Sequence, residues 1–200
     1  MDLWVIEREL MASESRLICG VDEAGRGPLA GPVCAAAVIL PPQMEIPGLN
    51  DSKKLSEKKR EALYDVICRE AVSYGIAFAS EAEIDEVNIL NATFLAMNRA
   101  IAQLSPVPEL ALIDGNRSSG ISCPNRCIIG GDGKSASIAA ASILAKVTRD
   151  RLMLQLAETY PQYRFEQHKG YGTKLHYEML RKYGISPVHR KTFLKKWEAQ

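Results

Sequence analysis

Two apolar segments near the amino terminus limit the possible fold most strongly. Residues 17–22 have the composition of a strand, and residues 33–40 are apolar without interruption, which is typical of a strand covered on both faces. The link between the two segments is too short for a crossover helix, so we expect them to form an antiparallel pair. The rest of the chain alternates strand and helix patterns, and this alternation predicts an α/β layer fold.

The remaining elements are predicted in chain order, with a short helix within residues 1–15 at the start. Ser56 is the expected N-cap of a helix that runs to about residue 71. Strands are predicted at 72–79, 110–113 and 127–129, and helices at 83–88, 92–104, 137–158, 174–182 and 191–198. We expect three parts: an N-terminal extension at 1–16, a main domain at 17–160, and a basic, helical C-terminal region at 161–200.

Composition is ordinary for a globular protein, with 46% hydrophobic and 24% charged residues. The five cysteines are scattered and form no zinc-binding pairs, which favours reduced thiols and a cytoplasmic protein. The N-terminal residues lack a signal-peptide core, and the longest apolar run, 33–40, is too short to cross a bilayer. We therefore expect a cytoplasmic chain that does not enter a membrane. A monomer is also expected, although none of these sequence features determines the oligomeric state.

Charge is distributed unevenly along the chain. Residues 146–200 contain twelve Lys and Arg against five Asp and Glu, a surplus of +7, whereas residues 1–145 carry −6. A basic tail on an acidic body suggests a polyanion as partner. The alternative is a solvated helix surface, and the charge pattern alone does not exclude it.

Acidic residues followed by glycines occur at three predicted strand ends. Asp22 and Glu23 follow the first strand, Asp114 follows the strand at 110–113, and Asp132 lies in a glycine-rich turn after the strand at 127–129. Neighbouring side chains of a strand point to opposite faces, so Asp22 and Glu23 share one site only if the pleat ends between them. The glycines that follow predict that it does. The alternative is a set of solvated turns.

Four clustered carboxylates would repel one another, and divalent cations relieve that repulsion. Because all the candidate ligands are oxygens, Mg²⁺ or Mn²⁺ is favoured over zinc. Lys134 and Ser135 precede the long helix at 137–158, where they are expected to offer a cation and hydrogen-bond donors to a phosphate.

Six sequence motifs, in this order between residues 21 and 173, resemble those of the ribonuclease HII family, the type 2 ribonucleases H: DEAGRGPLAGPV, DSKKL, LIDGN, GD at 131–132, SIAAASILAKVTRD and HKGYGT. The resemblance implies a ribonuclease H-like mixed sheet flanked by helices, with a small C-terminal helical region. It also implies two-metal-ion hydrolysis of RNA in RNA/DNA hybrids and incision of duplex DNA at embedded ribonucleotides. The products would carry 3′-hydroxyl and 5′-phosphate ends.

The resemblance also assigns roles to individual residues. It implies that the catalytic and metal-binding acids are Asp22, Glu23, Asp114 and Asp132. It implies that the substrate-binding residues are Gly25, Arg26 and Gly27 at the ribose 2′-OH, Tyr171 at the sugar of the RNA–DNA junction, and Lys53 and Lys54 near phosphates.

Asp150 competes with Asp132 for the place of the fourth acid. It falls in the middle of the long helix, where pairing with Arg149 or Arg151 is the expected role, so Asp132 is preferred. Two other functions stay open at this point. One is a ribonuclease that uses the 2′-OH as nucleophile with paired acid and base groups, often histidines. The other is a non-catalytic RNA/DNA hybrid-binding module, whose acids are structural.

Overall fold

The fold is a five-stranded mixed sheet flanked by helices, described by a computed structural model for residues 2–13 and 17–198. The strands are β1 (Ile18–Ala24), β2 (Val33–Ile39), β3 (Ser73–Ala79), β4 (Leu110–Asp114) and β5 (Asn125–Ile128), in the order β3-β2-β1-β4-β5. β1, β2 and β3 are antiparallel, and β4 and β5 run parallel to β1. The α/β fold and the antiparallel β1–β2 pair predicted from the sequence are confirmed.

The helices lie around this sheet. They are α1 (Val5–Ser13), α2 (Glu57–Glu70), α3 (Glu81–Ile101), α4 (Ala136–Thr159), α5 (Phe165–His168), α6 (Lys174–Tyr183) and α7 (Lys191–Glu198). Three short 3-10 turns cover Ser52–Lys54, Gly131–Gly133 and Pro161–Tyr163. None of the helices among the described residues is both long enough and apolar enough to span a bilayer.

Strand β2 shows why its sequence is apolar throughout. Val33, Ala35, Ala37 and Ile39 pack into one core cluster with α3, whereas Cys34, Ala36 and Val38 pack into a second cluster with α2 and α4. Because successive side chains of a strand alternate between faces, both faces of β2 are covered. The strand is therefore sandwiched between two helical layers.

Helix α3 contains a break where two separate helices were predicted. Asn88 has φ 68° and ψ 164°, and its Oδ1 accepts hydrogen bonds from the N–H groups of Leu90 (3.0 Å) and Asn91 (3.2 Å). Asn88 therefore caps the second half of α3.

Strand β1 extends further than the sequence predicted. Asp22 pairs with Ala36 and Glu23 pairs with Ala35 in the β1–β2 ladder, which runs on to Ala24. The expectation that the pleat ends between Asp22 and Glu23 is wrong, because β2 continues to supply backbone partners. The two acidic side chains consequently leave the strand towards opposite faces of the sheet.

Candidate active site

Three acids meet at one edge of the sheet. Carboxylate oxygens of Asp22, Asp114 and Asp132 all lie within 4.8 Å of one another. Asp22 belongs to β1 and Asp114 ends the neighbouring parallel strand β4, while Asp132 lies in the 3-10 turn that follows β5. The order β1-β4-β5 thus brings together acids that are far apart in sequence.

Burial makes this cluster electrostatically unfavourable. Asp22 is only 4% exposed, and burial together with the charges of Glu23 and Asp114 raises its pKa well above the usual value. Burial, followed by the charges of Asp114 and Asp51, likewise raises the pKa of Asp132. Closely spaced, desolvated carboxylates are stabilised by a cation. The all-oxygen donor set therefore fits a hard divalent metal ion.

Glu23 is not part of this three-acid group among the described residues. It lines a cavity of about 390 Å³ together with Asp114, Arg26 and side chains of α3. Its carboxylate lies 3.4 Å from Arg26 Nη1. Burial raises the pKa of Glu23, and the charge of Arg26 opposes that rise. The continuation of β1 explains this position, because it directs Glu23 to the face opposite Asp22.

A second cavity, of about 230 Å³, lies at the end of β1 and is lined by both Asp22 and Glu23. It is lined by residues of β1, the following glycine loop, α4 and the C-terminal region: Asp22, Glu23, Ala24, Gly25, Arg26, Gly27, Ser52, Lys53, Ser142, Lys146, Arg149 and Tyr171. Tyr171 is 43% exposed, and a Cβ added at Gly27 would lie 3.7 Å from Tyr171 Cε1. The structure thus places the loop 25–27 and Tyr171 beside the acids.

The two lysines of the DSKKL motif differ in their surroundings. Lys53 Nζ is 3.4 Å from Asp132 Oδ2, whereas Lys54 Nζ is 4.0 Å from Asp51 Oδ2. Both side chains are largely exposed. Lys53 therefore contacts the acid cluster directly, whereas Lys54 pairs with Asp51, which is not a member of the cluster.

Two buried arginines donate hydrogen bonds to backbone carbonyls within residues 25–32, and this role was not predicted from the sequence for either. Arg190 donates to the backbone carbonyls of Gly25 (2.6 Å), Arg26 (2.9 Å) and Gly31 (2.8 Å). Arg149 donates to the carbonyls of three further residues, Ala30, Pro32 and Lys169, each at 3.1 Å. Arginine in a sequence looks like a surface residue, so no local signal indicated this role.

Comparisons with known proteins agree with this geometry. The family model described as Ribonuclease HII matches residues 19–197. The chain is 60% identical over 177 residues to a ribonuclease HII of Endomicrobium trichonymphae, which covers 88% of this chain and 84% of that protein.

The chain belongs to the ribonuclease HII family. It is accordingly an endoribonuclease that acts on RNA/DNA hybrids. This membership decides against the non-catalytic binding module. Solved structures agree as well: the ribonuclease H2 of Pyrococcus horikoshii superimposes with a TM-score of 0.73 at 27% identity, covering 88% of this chain and 93% of that one. The ribonuclease HII in a PCNA complex from Archaeoglobus fulgidus gives 0.70 at 26% identity, covering 87% and 93%.

Asp150, the rival acid, forms an ion pair and is not part of the three-acid group among the described residues. Its Oδ1 lies 2.7 Å from Lys146 Nζ, one helical turn away. The expected pairing with Arg149 or Arg151 is wrong, because Arg149 binds backbone carbonyls and Arg151 pairs with Glu61. Since Lys146 lines the cavity of Asp22, the ion pair with Asp150 orients the Lys146 ammonium group beside the site.

The phosphate site expected at the start of α4 is also wrong. Ser135 is fully buried, and its hydroxyl donates to Glu7 Oε1 at 2.6 Å. Lys134 Nζ donates to the carbonyl of Ile129 at 2.7 Å. The helix terminus is therefore already used by groups of the protein itself.

The three histidines pack together in the C-terminal region. The rings of His168 and His176 stack with centroids 4.4 Å apart, and His176 Nε2 lies 3.0 Å from His189 Nε2. Burial lowers the pKa values of His176 and His189 to about 4. Neither cavity at the acids is lined by a histidine among the described residues. Nothing in this arrangement supports a histidine acid–base mechanism.

Proposed function

We propose that this protein both hydrolyses the RNA strand of RNA/DNA hybrids and incises duplex DNA at embedded ribonucleotides, leaving 3′-hydroxyl and 5′-phosphate ends. The observation that carries the proposal is the group of three carboxylates within 4.8 Å of one another, of which Asp22 and Asp114 each line a cavity. Acids this close repel one another, and a bound cation relieves that repulsion.

The proposed cofactors are two divalent cations, Mg²⁺ or Mn²⁺. Asp22, Asp114 and Asp132 would hold them on one face of the sheet, and Glu23 would contribute from the cavity it shares with Asp114. Such cations, when bound, activate water for attack on phosphate and stabilise the leaving oxygen. Lys53, 3.4 Å from Asp132, would then be released to meet a substrate phosphate, with Lys54 nearby.

The proposed reader of the ribose is the loop Gly25, Arg26 and Gly27. The 2′-OH is the group that distinguishes RNA from DNA, and a glycine backbone approaches it closely. Buried Arg190 donates to the carbonyls of Gly25 and Arg26 in this loop, and buried Arg149 donates to the carbonyl of Ala30 just after it. Tyr171, exposed on the same cavity, would stack on the sugar of the RNA–DNA junction.

The remaining organisation follows the same reasoning. We propose an N-terminal extension at 1–16, a catalytic domain at 17–160 and a basic substrate-binding region at 161–200. All five cysteines are free thiols, which supports a cytoplasmic compartment. A monomer is proposed as the working state, with RNA/DNA hybrid and ribonucleotide-containing duplex DNA as partners.

A duplex with one embedded ribonucleotide tests this function directly. The enzyme is incubated with Mg²⁺, with Mn²⁺ or with EDTA, and products are mapped at nucleotide resolution. We expect incision at the ribonucleotide with either metal, none in EDTA, and none of an all-DNA duplex. Asp114→Asn should still bind the duplex but not cut it. Incision that persists in EDTA would overturn the two-metal proposal.

A further inference from the structure

Glu7 is a buried carboxylate that the proposed mechanism does not use. It lies in α1, outside the residues 19–197 that match the family model, and is 0% exposed. Its Oε1 accepts hydrogen bonds from Ser135 Oγ (2.6 Å) and from the N–H of Ser137 (3.1 Å). Its Oε2 makes no hydrogen bond within the described part of the chain. Burying a carboxylate with one oxygen unpaired costs free energy of folding, so we expect Glu7 to have a specific role.

Glu7 completes the cap of α4. The carbonyl of Leu3 accepts from the N–H of Ala136 at 2.9 Å, and Ser135 Oγ accepts from the N–H of Ile138 at 3.2 Å. With Glu7 on the N–H of Ser137, the first three N–H groups of this long helix all have acceptors. A negative charge at a helix N-terminus is also favourable. The N-terminal segment therefore fixes where α4 begins.

A short chain of hydrogen bonds leads from this cap to the acids. The N–H of Ser135 donates to the carbonyl of Gly131 at 2.8 Å, and the N–H of Gly131 donates to Asp114 Oδ1 at 2.7 Å. Asp132 is the next residue after Gly131. One residue thus connects the Glu7–Ser135 pair with two of the three clustered acids.

The packing around the start of α4 leaves little room for adjustment. A Cβ added at Gly20 would lie 2.1 Å from the backbone carbon of Ser137, so α4 rests directly on β1 two residues before Asp22. A Cβ at Gly131 would lie 2.5 Å from Ile138 Cδ1. A shift of the first turn of α4 would consequently move the Asp132 turn relative to Asp22 and Asp114.

We infer that Glu7 is a positioning residue for the metal site: through Ser135 and Gly131 it fixes the spacing of Asp114 and Asp132. The inference rests on the proposed metal-dependent function. Glu7 itself touches neither substrate nor metal in this scheme. Its removal should therefore weaken metal binding and turnover without changing the affinity for the nucleic acid.

The test compares Glu7→Ala, which removes the acceptor shared by Ser135 and Ser137, with two controls on the same N-terminal segment. Glu9→Ala changes an exposed acid of α1, and Trp4→Phe removes the hydrogen bond from Trp4 Nε1 to the carbonyl of Met44. The Trp4 variant loosens the attachment of the segment but leaves the Glu7–Ser135 contact in place. Mn²⁺ binding is measured by titration calorimetry well below the melting temperature, and kcat and KM are measured for incision.

For Glu7→Ala we expect the Mn²⁺ dissociation constant to rise about tenfold, the lower end of the effect seen when groups that hold metal ligands are removed. The value of kcat at limiting metal should fall and KM for the duplex should stay unchanged. Ser135→Ala should produce the same rise, and the double variant should be no worse than either single one. Both controls should bind Mn²⁺ like the wild type, even where Trp4→Phe lowers the melting temperature.

The inference is overturned if Glu7→Ala binds Mn²⁺ like the wild type, or if Trp4→Phe loses as much affinity. If Glu7→Ala does not fold, Ser135→Ala decides the question alone, because it removes the hydroxyl that bonds to Glu7 while Glu7 remains. Failure of the proposed function has a different signature: the wild type itself would neither bind Mn²⁺ nor require it for incision.

Discussion

Replacing Asp22 by asparagine should abolish incision and yet stabilise the metal-free protein. Asp22 is the most buried of the three clustered acids, and its pKa is raised by burial and by the charges of Glu23 and Asp114. Asparagine has nearly the same shape and removes the charge. The substitution therefore separates the need for a metal ligand from the need for a stable fold.

The size of the effect follows from the spacing of the acids. At an effective dielectric constant of about 20, two full charges 4.8 Å apart repel by about 3.5 kcal/mol. Shared protons and the nearby Lys53 already relieve part of this repulsion, so we expect a gain of about 1–2 kcal/mol in the free energy of unfolding. For a chain of this length, such a gain raises the melting temperature by about 2–8 °C.

The pH dependence has a definite sign. Because the folded protein raises the pKa of Asp22 above 3.8, the site favours folding most at low pH and loses this contribution as pH rises through the raised pKa. The advantage of Asp22→Asn over the wild type should therefore grow from acidic to neutral pH.

Thermal denaturation in EDTA, from pH 5 to pH 8, measures this difference. Asp65→Asn, which removes an exposed acid of α2, serves as the control and should change little. Added Mg²⁺ should raise the melting temperature of the wild type but not that of Asp22→Asn, because only a bound ligand shifts the unfolding equilibrium. A melting temperature for Asp22→Asn at or below that of the wild type at neutral pH would refute the reasoning.

Three further outcomes are expected. Asp132→Asn should abolish incision, whereas Asp150→Asn should reduce it only modestly by freeing Lys146; an inactive, folded Asp150→Asn would reverse the assignment. Tyr171→Ala should lower the rate of incision at a single ribonucleotide by about ten- to a hundredfold, the effect of losing one stacking contact, and should leave Mn²⁺ binding unchanged. Equal and small losses of rate on a continuous RNA strand and on a single ribonucleotide would show that Tyr171 has only a packing role. Gly25→Ala should lower the melting temperature, because its φ is +93° and a Cβ would lie 1.9 Å from Arg149 Nε, while Gly27→Ala should fold normally and serve as its control.

The sequence could predict the sheet because its strongest signals are local. An unbroken apolar run such as 33–40 has few alternatives to a strand covered on both faces, and a short link leaves few alternatives to an antiparallel pair. Acidic residues that follow a predicted strand and precede glycines can be recognised from the sequence in the same way. Their meeting at one edge was predictable in principle, since parallel neighbours end at the same side of a sheet.

The sequence could not show which residues make hydrogen bonds or strand pairs with segments that are distant along the chain. The continuation of β1 past Asp22 depends on β2, whose register is a tertiary property. Glu7 looks like any acid of an amphipathic helix, and its partner Ser135 is far away in the chain. Side chains that bind distant backbone groups leave no periodic pattern to detect.

The charge count of residues 146–200 is affected by the same limit. Their formal surplus of +7 includes Arg149 and Arg190, which are buried and bound to six backbone carbonyls of the chain itself. Without these two the surplus is +5, and Lys146 is further offset by Asp150. Since each neutralised phosphate adds about 0.9 to the salt dependence of duplex binding, the buried arginines cannot contribute to that slope. Their hydrogen bonds instead support the backbone within and just after residues 25–27, the loop that we propose as the reader of the ribose.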